Sequence, residues 1–426
     1  MSPLMFRLAV VLSLIATAEA SAQTYSGRST SRAKGGRHTT SGKDFPSWER
    51  DVATGEGAVL PRGRPGHYVP ETALDLGGMP IGVTALSGGS FAVALAEGGV
   101  TFVDAAGKKT GEIATPACTL PPVGLDGSAL VASAATLRRV APSGVLWTHD
   151  AAAPLAVVPV QGHSVIACAL EDGGLEVLDA TTGHLEWTSS LGSTAAAPPR
   201  ILRAVIVAAL TDGSVVGLDI ASGAELWRTS VGESAHALMA DETAAWVAGR
   251  GRSSRTKAVA PVIARIPLED GGRRLVSGGR NWRLRVGGDC VATPILLDDV
   301  VAFTCHDGYV HAVDRTKGVG GWRTDLPART RHQPLLAGGR LDFVLDQTPY
   351  VVALEPDNGA VLGWSELSDE DEVFTGPAAW AANVTVAGTS LGRLVLLSWE
   401  WDEKPAEEKD EGRGPGTLGA TSVRER

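Results

Sequence analysis

Residues 171–187 read EDGGLEVLDATTGHLEW, and residues 211–227 read TDGSVVGLDIASGAELW. Both stretches place an Asp-Gly pair, a second Asp, a Gly and a Trp at the same offsets. Asp-Gly favours the backbone conformations of a tight hairpin, so strands on its two sides should pair. The second Asp opens another turn, because short polar side chains bond nearby backbone amides. One unit therefore predicts a small antiparallel β-meander.

The same unit recurs along the chain. A third clear copy, HDGYVHAVDRTKGVGGW, occupies residues 306–322, and weaker copies fill the intervals on both sides. The spacing is roughly 40 residues, which is typical of propeller blades rather than of helical solenoids. We count eight units. The sequence thus predicts an all-β fold, an eight-bladed β-propeller of four-stranded antiparallel blades, with seven blades as the alternative.

The residues that define the unit are expected to build the blades rather than to bind a ligand. Turn geometry accounts for the Asp and Gly positions, and each Trp offers a broad rigid surface for a neighbouring blade. We expect the tryptophans to be buried between blades. The structural blade motif comprises Asp179, Gly183, Trp187, Asp219, Gly223, Trp227, Asp314, Gly318 and Trp322.

The unit resembles the pyrroloquinoline-quinone (PQQ)-type propeller repeat, Ala-x-Asp-x-x-Thr-Gly-x-x-x-Trp. The first copy matches this pattern at Asp179, Thr182, Gly183 and Trp187. The other two copies match at the Asp, Gly and Trp positions, and Ser222 and Lys317 replace the Thr. The resemblance covers roughly residues 75 to 400. It implies the propeller fold, and it implies either a quinone- and calcium-dependent dehydrogenase or a non-catalytic scaffold.

The scaffold is the favoured function. The sequence has no adjacent cysteines, no large insertions and no recognisable Asp/Glu/Asn calcium cluster. It is similar in size and plainness to the BamB family of outer-membrane assembly scaffolds, although it lacks the lipobox Cys. We expect a non-catalytic protein-binding or assembly scaffold without a cofactor. The alternative is a PQQ-dependent periplasmic oxidoreductase, an alcohol or sugar dehydrogenase that binds PQQ and calcium.

Composition changes divide the chain into four parts. Residues 1–22 have the pattern of a secretory signal peptide, with cleavage after Ala20 or Ala22. Residues 23–70 are expected to form a flexible polar leader, residues 71–401 the propeller and residues 402–426 a disordered charged tail. The protein is therefore predicted to be periplasmic or secreted, with no membrane span.

The charge pattern points to a protein partner. The net charge of −10 argues against nucleic-acid binding. The fifth unit is locally basic, and a solvated insertion loop is the alternative to a binding surface there. We expect a monomer that binds a partner, an acidic one in particular, through Arg250, Arg252, Arg255, Arg273, Arg274 and Arg283.

The cysteines and a few polar residues allow further expectations. Cys290 and Cys305 flank two short apolar runs that should pair as antiparallel strands, so a disulfide between them is geometrically allowed. His306 and His311 flank an Asp-Gly turn and are not expected to share a metal. Glu366 with residues 369–372 forms an acidic run, expected to be a solvated turn rather than a calcium loop.

Overall fold

The computed structural model describes residues 66–159, 164–252, 257–277, 282–345, 347–367, 369 and 371–402. The regular structure of these residues is entirely β, with 33 strands in eight sheets. The predicted eight-bladed propeller is confirmed, and the seven-bladed alternative is wrong. Within the described ranges no helix has the length and apolar character needed to cross a membrane.

Each blade is an antiparallel sheet whose strands pair in chain order, and we call them A to D. Blade 1 comprises β2 (Pro80–Ala85), β3 (Phe91–Leu95), β4 (Val100–Val103) and β5 (Lys109–Ile113). Blade 2 comprises β6 (Val123–Leu125), β7 (Ser128–Ala132), β8 (Thr136–Ala141) and β9 (Gly144–Asp150). Blade 3 comprises β10 (Pro154–Pro159), β11 (Val165–Leu170), β12 (Gly174–Asp179) and β13 (Leu185–Ser190). Blade 4 comprises β14 (Arg200–Ile201), β15 (Val205–Ala209), β16 (Ser214–Asp219) and β17 (Glu225–Ser230).

The second half of the chain continues this arrangement, except that blade 5 has two short outer strands. Blade 5 comprises β18 (Ser234–Asp241), β19 (Ala244–Arg252), β20 (Val259–Glu269), β21 (Arg274–Leu275) and β22 (Arg283–Arg285). Blade 6 comprises β23 (Ile295–Leu296), β24 (Val300–Thr304), β25 (Tyr309–Asp314) and β26 (Trp322–Asp325). Blade 7 comprises β27 (Leu335–Ala337), β28 (Arg340–Val344), β29 (Tyr350–Leu354) and β30 (Val361–Glu366). Blade 8 comprises β31 (Ala379–Ala381), β32 (Val384–Gly388), β33 (Arg393–Trp401) and, as its D strand, β1 (Gly66–Asp75).

The ring closes through the two ends of the described chain. The strand β1 pairs with β33 in antiparallel register, from Gly66 opposite Trp401 to Asp75 opposite Arg393. The propeller therefore includes residues 66–70, which the sequence assigned to the leader when it placed the start of the propeller at residue 71. The earlier start follows from this pairing, because β1 carries none of the repeat motif and has only its partner strand to identify it.

The hydrophobic core lies between the blades. The described residues form eight buried apolar clusters, and each cluster joins side chains from two neighbouring blades. In β15 all five residues are buried, because one blade covers each face of the strand. Uninterrupted apolar runs such as VIVAA are thus required by this packing.

Tryptophans on the outer D strands of blades 2, 3, 4 and 6 link these blades to the blade that follows. The indole N–H donates a hydrogen bond to a backbone carbonyl in the C–D turn of the following blade. These bonds run from Trp147 to Ala180 at 3.0 Å, Trp187 to Ile220 at 2.9 Å, Trp227 to Gly272 at 2.8 Å and Trp322 to Pro356 at 2.9 Å.

The tryptophans differ in burial. Trp227 is only 7% exposed, as expected, but Trp187 and Trp322 are partly exposed. The expectation of full burial was wrong for these two, because an outer strand has solvent beyond its edge, although both rings still pack against the apolar cluster between two blades.

The Asp and Gly of the motif shape the turn that receives the indole. In blade 3, Oδ1 of Asp179 accepts hydrogen bonds from the amides of Thr181 (3.0 Å) and Thr182 (2.7 Å). Gly183 has φ 73°, and a Cβ there would lie 2.6 Å from the ring of Trp147. The motif Gly is therefore required both by its backbone angle and by the preceding blade. Equivalent turns are centred on Asp219 with Gly223, and on Asp314 with Gly318.

A buried ion pair lies where the ring closes. Arg340 and Asp342 are neighbours on β28, and Nη2 of Arg340 donates to Oδ2 of Asp342 at 3.0 Å. Thr385 of blade 8 donates to the same oxygen at 2.8 Å. The guanidinium also lies 4.7 Å from the ring centroid of Trp399 and 5.6 Å from that of Tyr68 on β1. Blades 7 and 8 and the closing strand thus share one buried polar contact.

Candidate partner-binding surface

The propeller has two faces. The B–C turns and the connections between blades lie on what we call the first face, and the A–B and C–D turns lie on the second face. Arg252 pairs with Val259 at the start of β20, whereas Arg274 pairs with Glu269 at its end. At about 3.3 Å per residue these positions are about 33 Å apart. The arginines of the fifth unit therefore do not form one surface.

The structure divides the predicted set of six. Arg250 and Arg252 end β19 on the first face, and Arg283 reaches the carbonyl of Ser230 there at 3.4 Å. Arg273 and Arg274 lie at the C–D turn on the second face. Arg255 lies outside the described residues.

Much of the predicted positive charge is neutralised. Four of the arginines pair with carboxylates, and three of these pairs use an acid from outside the basic segment, which a sequence window could not reveal. The pairs are Arg250 with Asp289 at 2.5 Å, Arg252 with Glu233 at 2.6 Å, Arg273 with Asp219 at 2.7 Å, and Arg274 with Glu269 and Asp270 at 3.9 and 3.7 Å.

Arg250 is nevertheless the centre of a larger basic group. Its guanidinium binds Asp289 through two nitrogens, Nε at 2.9 Å from Oδ1 and Nη2 at 2.5 Å from Oδ2. Nδ1 of His236 lies 3.7 Å from Oδ1 of the same carboxylate. Burial alone would raise the pKa of Asp289, but the hydrogen bonds and charge of Arg250 outweigh it and hold that pKa below its ordinary value.

The two imidazoles of this group resist protonation. Burial lowers the pKa of His236, and the charge of Arg250 adds to that effect against the opposing pull of Asp289. Burial also lowers the pKa of His306, helped first by Arg329 and then by Arg331. We define the first-face cluster as Arg250, His236 and His306 beside Asp289, together with Arg329 and Arg331, whose charges act on His306.

The sequence prediction missed four of the five basic members of this cluster. His236 lies on β18, His306 in the B–C turn of blade 6, and Arg329 and Arg331 on the connection from blade 6 to blade 7. They are far apart in sequence, so no local charge count could group them. Arg329 is exposed and has no ion pair within the described residues.

A disulfide holds part of this cluster in place. Cys290 and Cys305 are bonded, as the sequence allowed, and they follow Asp289 and precede His306 respectively. The amide of His306 donates to the carbonyl of Asp289 at 2.8 Å. The cross-link therefore positions two cluster members directly. The remaining cysteines, Cys118 and Cys168, are free and buried.

Two groups of potential metal ligands already have partners within the protein. Cys305, Asp307 and His311 lie together, but the Cys305 sulfur is in the disulfide and Asp307 accepts from His311 at 2.9 Å. In the acidic run, Glu372 is buried and binds Arg393 at 2.5 Å. The expectation of a solvated turn was therefore wrong for Glu372, whose partner lies on the closing blade.

Comparison with known proteins identifies relatives of this chain. A family model described as outer membrane protein assembly factor BamB matches residues 133–262 and 273–400. The computationally designed protein Ika8 shares the fold, with a TM-score of 0.63 and 14% identity over 79% of this chain and 100% of its own. Sqt1 of Saccharomyces cerevisiae has a TM-score of 0.60 and 10% identity over 80% of this chain and 99% of its own. BamB of Moraxella catarrhalis has a TM-score of 0.49 and 17% identity over 65% of this chain and 95% of its own. No curated protein matches the sequence.

Proposed function

Because this chain belongs to the family of the outer membrane protein assembly factor BamB, we propose that it is an exported, non-catalytic scaffold that binds a protein partner. The observation that carries the binding proposal is the first-face cluster, in which three arginines, Arg250, Arg329 and Arg331, face the single carboxylate of Asp289 and leave an excess of positive charge. The partner segment is acidic, since added carboxylates would balance this charge and bond to guanidinium groups in pairs.

Export is supported by the disulfide between Cys290 and Cys305. Disulfides persist in oxidising compartments such as the periplasm and are rare in the cytosol. N-terminal sequencing of the protein recovered outside the cytoplasm tests this directly. A mature chain beginning after Ala20 or Ala22 is expected, and a chain retaining its first residues in the cytosol would contradict export.

The quinone-dependent dehydrogenase is the alternative function, which the resemblance of the repeat to the PQQ-type propeller implies. Incubating the purified protein with PQQ and calcium separates the two functions. A stoichiometric bound chromophore with dye-linked alcohol or sugar oxidation would replace the scaffold proposal.

The binding surface is tested with a fluorescein-labelled hexaglutamate peptide and two matched variants. Arg329→Glu reverses an exposed charge in the cluster, and Arg274→Glu reverses an exposed charge on the opposite face. Anisotropy titrations should show weaker binding for Arg329→Glu by roughly two- to fivefold, the scale of an exposed ion pair. Arg274→Glu should bind like the wild type.

Salt provides the second readout. Exposed charges are screened over about 10 Å at 0.1 M salt, so wild-type affinity should fall between 50 and 300 mM NaCl. Equal weakening by both variants, or binding insensitive to salt, would show that the first-face cluster is not the docking site.

A further inference from the structure

A cavity of about 460 Å³ opens on the second face, opposite the first-face cluster. It lies where the A strands of blades 3, 4 and 5 end, and its lining includes Val158, Arg200, Ile201 and Met239. This volume falls within the range of small-ligand sites, roughly 300–1,000 Å³. The second-face cavity shares no residue with the surface proposed above.

The second-face cavity contains one cation without a counter-charge. Arg203 pairs with Glu242 at 3.4 Å, and Asp241 pairs with Arg315 of blade 6. Both carboxylates of the lining are therefore occupied by other guanidinium groups. Arg200 donates from Nε to the carbonyl of Leu238 at 3.3 Å, and no carboxylate among the described residues pairs with it.

Burial of Arg200 is not offset by an acid. Desolvation lowers the pKa of its guanidinium, with no carboxylate acting in the opposite direction. Residues 160–163, which lie outside the described part of the chain, read VQGH and contain no acid. Arg200 is half-buried, and a partly desolvated cation costs free energy unless it is paired, so an anion that enters the cavity would be attracted to it.

The rest of the lining suits a peptide end. Val158, Ile201 and Met239 supply apolar contacts beside the guanidinium. The strands β10, β14 and β18 are each the first strand of their sheet, so each presents an edge free of strand partners in the described residues. Such edges can bond a peptide backbone. We propose that the second-face cavity binds the free C-terminal carboxylate of a peptide whose last side chain is apolar.

The test uses the full chain and a fluorescein-labelled Gly-Ser-Gly-Val-Phe peptide with a free carboxylate. Its C-terminal amide is the matched probe without the charge. The acid should bind at least about tenfold more tightly than the amide, as expected for a hydrogen bond to a charged group. Arg200→Gln should remove this preference, and Arg203→Gln, which changes the neighbouring paired arginine, should keep it.

Thermal unfolding shows whether Arg200→Gln has lost binding through misfolding. Its melting temperature should be no lower than that of Arg203→Gln.

Equal binding of acid and amide, or an unchanged preference in Arg200→Gln, would overturn the proposal. Tight binding of octanoate without binding of the peptide would also overturn it, in favour of a fatty acid. Binding only by a chain ended at Asp402 would assign the cavity to the acidic tail instead. The hexaglutamate assay is independent, so either site can fail alone.

Discussion

The indole nitrogen of Trp227 in blade 4 donates a 2.8 Å hydrogen bond to the carbonyl oxygen of Gly272 in blade 5. The ring is 7% exposed and belongs to the apolar cluster between these blades. Trp227→Ala should therefore lower the free energy of unfolding by about 3–5 kcal/mol, as for other buried aromatic truncations. Denaturant unfolding measures the change. Trp401→Ala, at an exposed tryptophan, is the control, and a loss below about 1 kcal/mol for Trp227→Ala would contradict the packing.

Two glycines with positive φ, Gly223 and Gly192, allow the backbone cost of a substitution to be separated from the cost of a steric clash. Gly223 has φ 71°, and a Cβ there would lie 2.6 Å from the Trp187 ring. Gly192 has φ 81° and no atom near the added Cβ. Gly192→Ala should cost about 1–2 kcal/mol from its backbone angle alone, and Gly223→Ala should cost clearly more. Equal losses in denaturant unfolding would mean that the Trp187 ring does not constrain the turn.

The buried pair at ring closure should be sensitive to loss of one member. Asp342→Ala leaves the Arg340 guanidinium buried without its carboxylate, so we expect a loss of about 3–5 kcal/mol in unfolding free energy. The double variant Arg340→Met with Asp342→Leu should lose less than Asp342→Ala alone, because no buried charge remains. A double variant that is less stable than the single one would show that the ion pair is itself the main stabilising contact.

The disulfide should stabilise the fold and protect two cysteines from alkylation. Cys290 and Cys305 are 15 residues apart, so replacing both with Ser should lower the free energy of unfolding by about 3 kcal/mol.

Burial raises the pKa of Cys168 to about 12, so little thiolate exists at pH 8. Iodoacetamide should leave the native, non-reduced protein unmodified by mass spectrometry. Modification of Cys290 and Cys305 would contradict the cross-link.

Stability should fall as the pH drops below neutrality. The folded pKa values of His236 and His306 are lowered, chiefly by burial, so the unfolded chain binds protons first below about pH 6.5. This loss is absent above pH 6.5 and is complete once the pH falls below the folded pKa values. His306→Gln should flatten the decline of unfolding free energy between pH 7 and 5, and His184→Gln, at an exposed turn, is the control. An unchanged slope in His306→Gln would refute the assignment.

Sequence alone predicted the features that local chemistry determines. The Asp179 turn and the Cys290–Cys305 contact each depend on residues within one unit, and the blade count follows from how often that unit recurs. Sequence alone could not predict contacts between units. The carboxylates Glu233 and Asp289 that neutralise the basic segment lie outside it, and the cluster joining His236 with His306 exists only because blades 5 and 6 are adjacent. The closing strand β1 was missed for the same reason, since it pairs with residues at the other end of the chain.

The pairing of β1 with β33 also has a kinetic consequence. Ser398 donates a hydrogen bond to the carbonyl of Val69, across 329 residues of sequence. Contacts of such high contact order form slowly, because the entropy of closing a long loop is lost before any contact repays it. A chain delivered from its N-terminus would hold β1 as an unpaired edge strand until β33 arrives. Ring closure is therefore expected to be the last step of folding, and the interval before it the period of greatest aggregation risk.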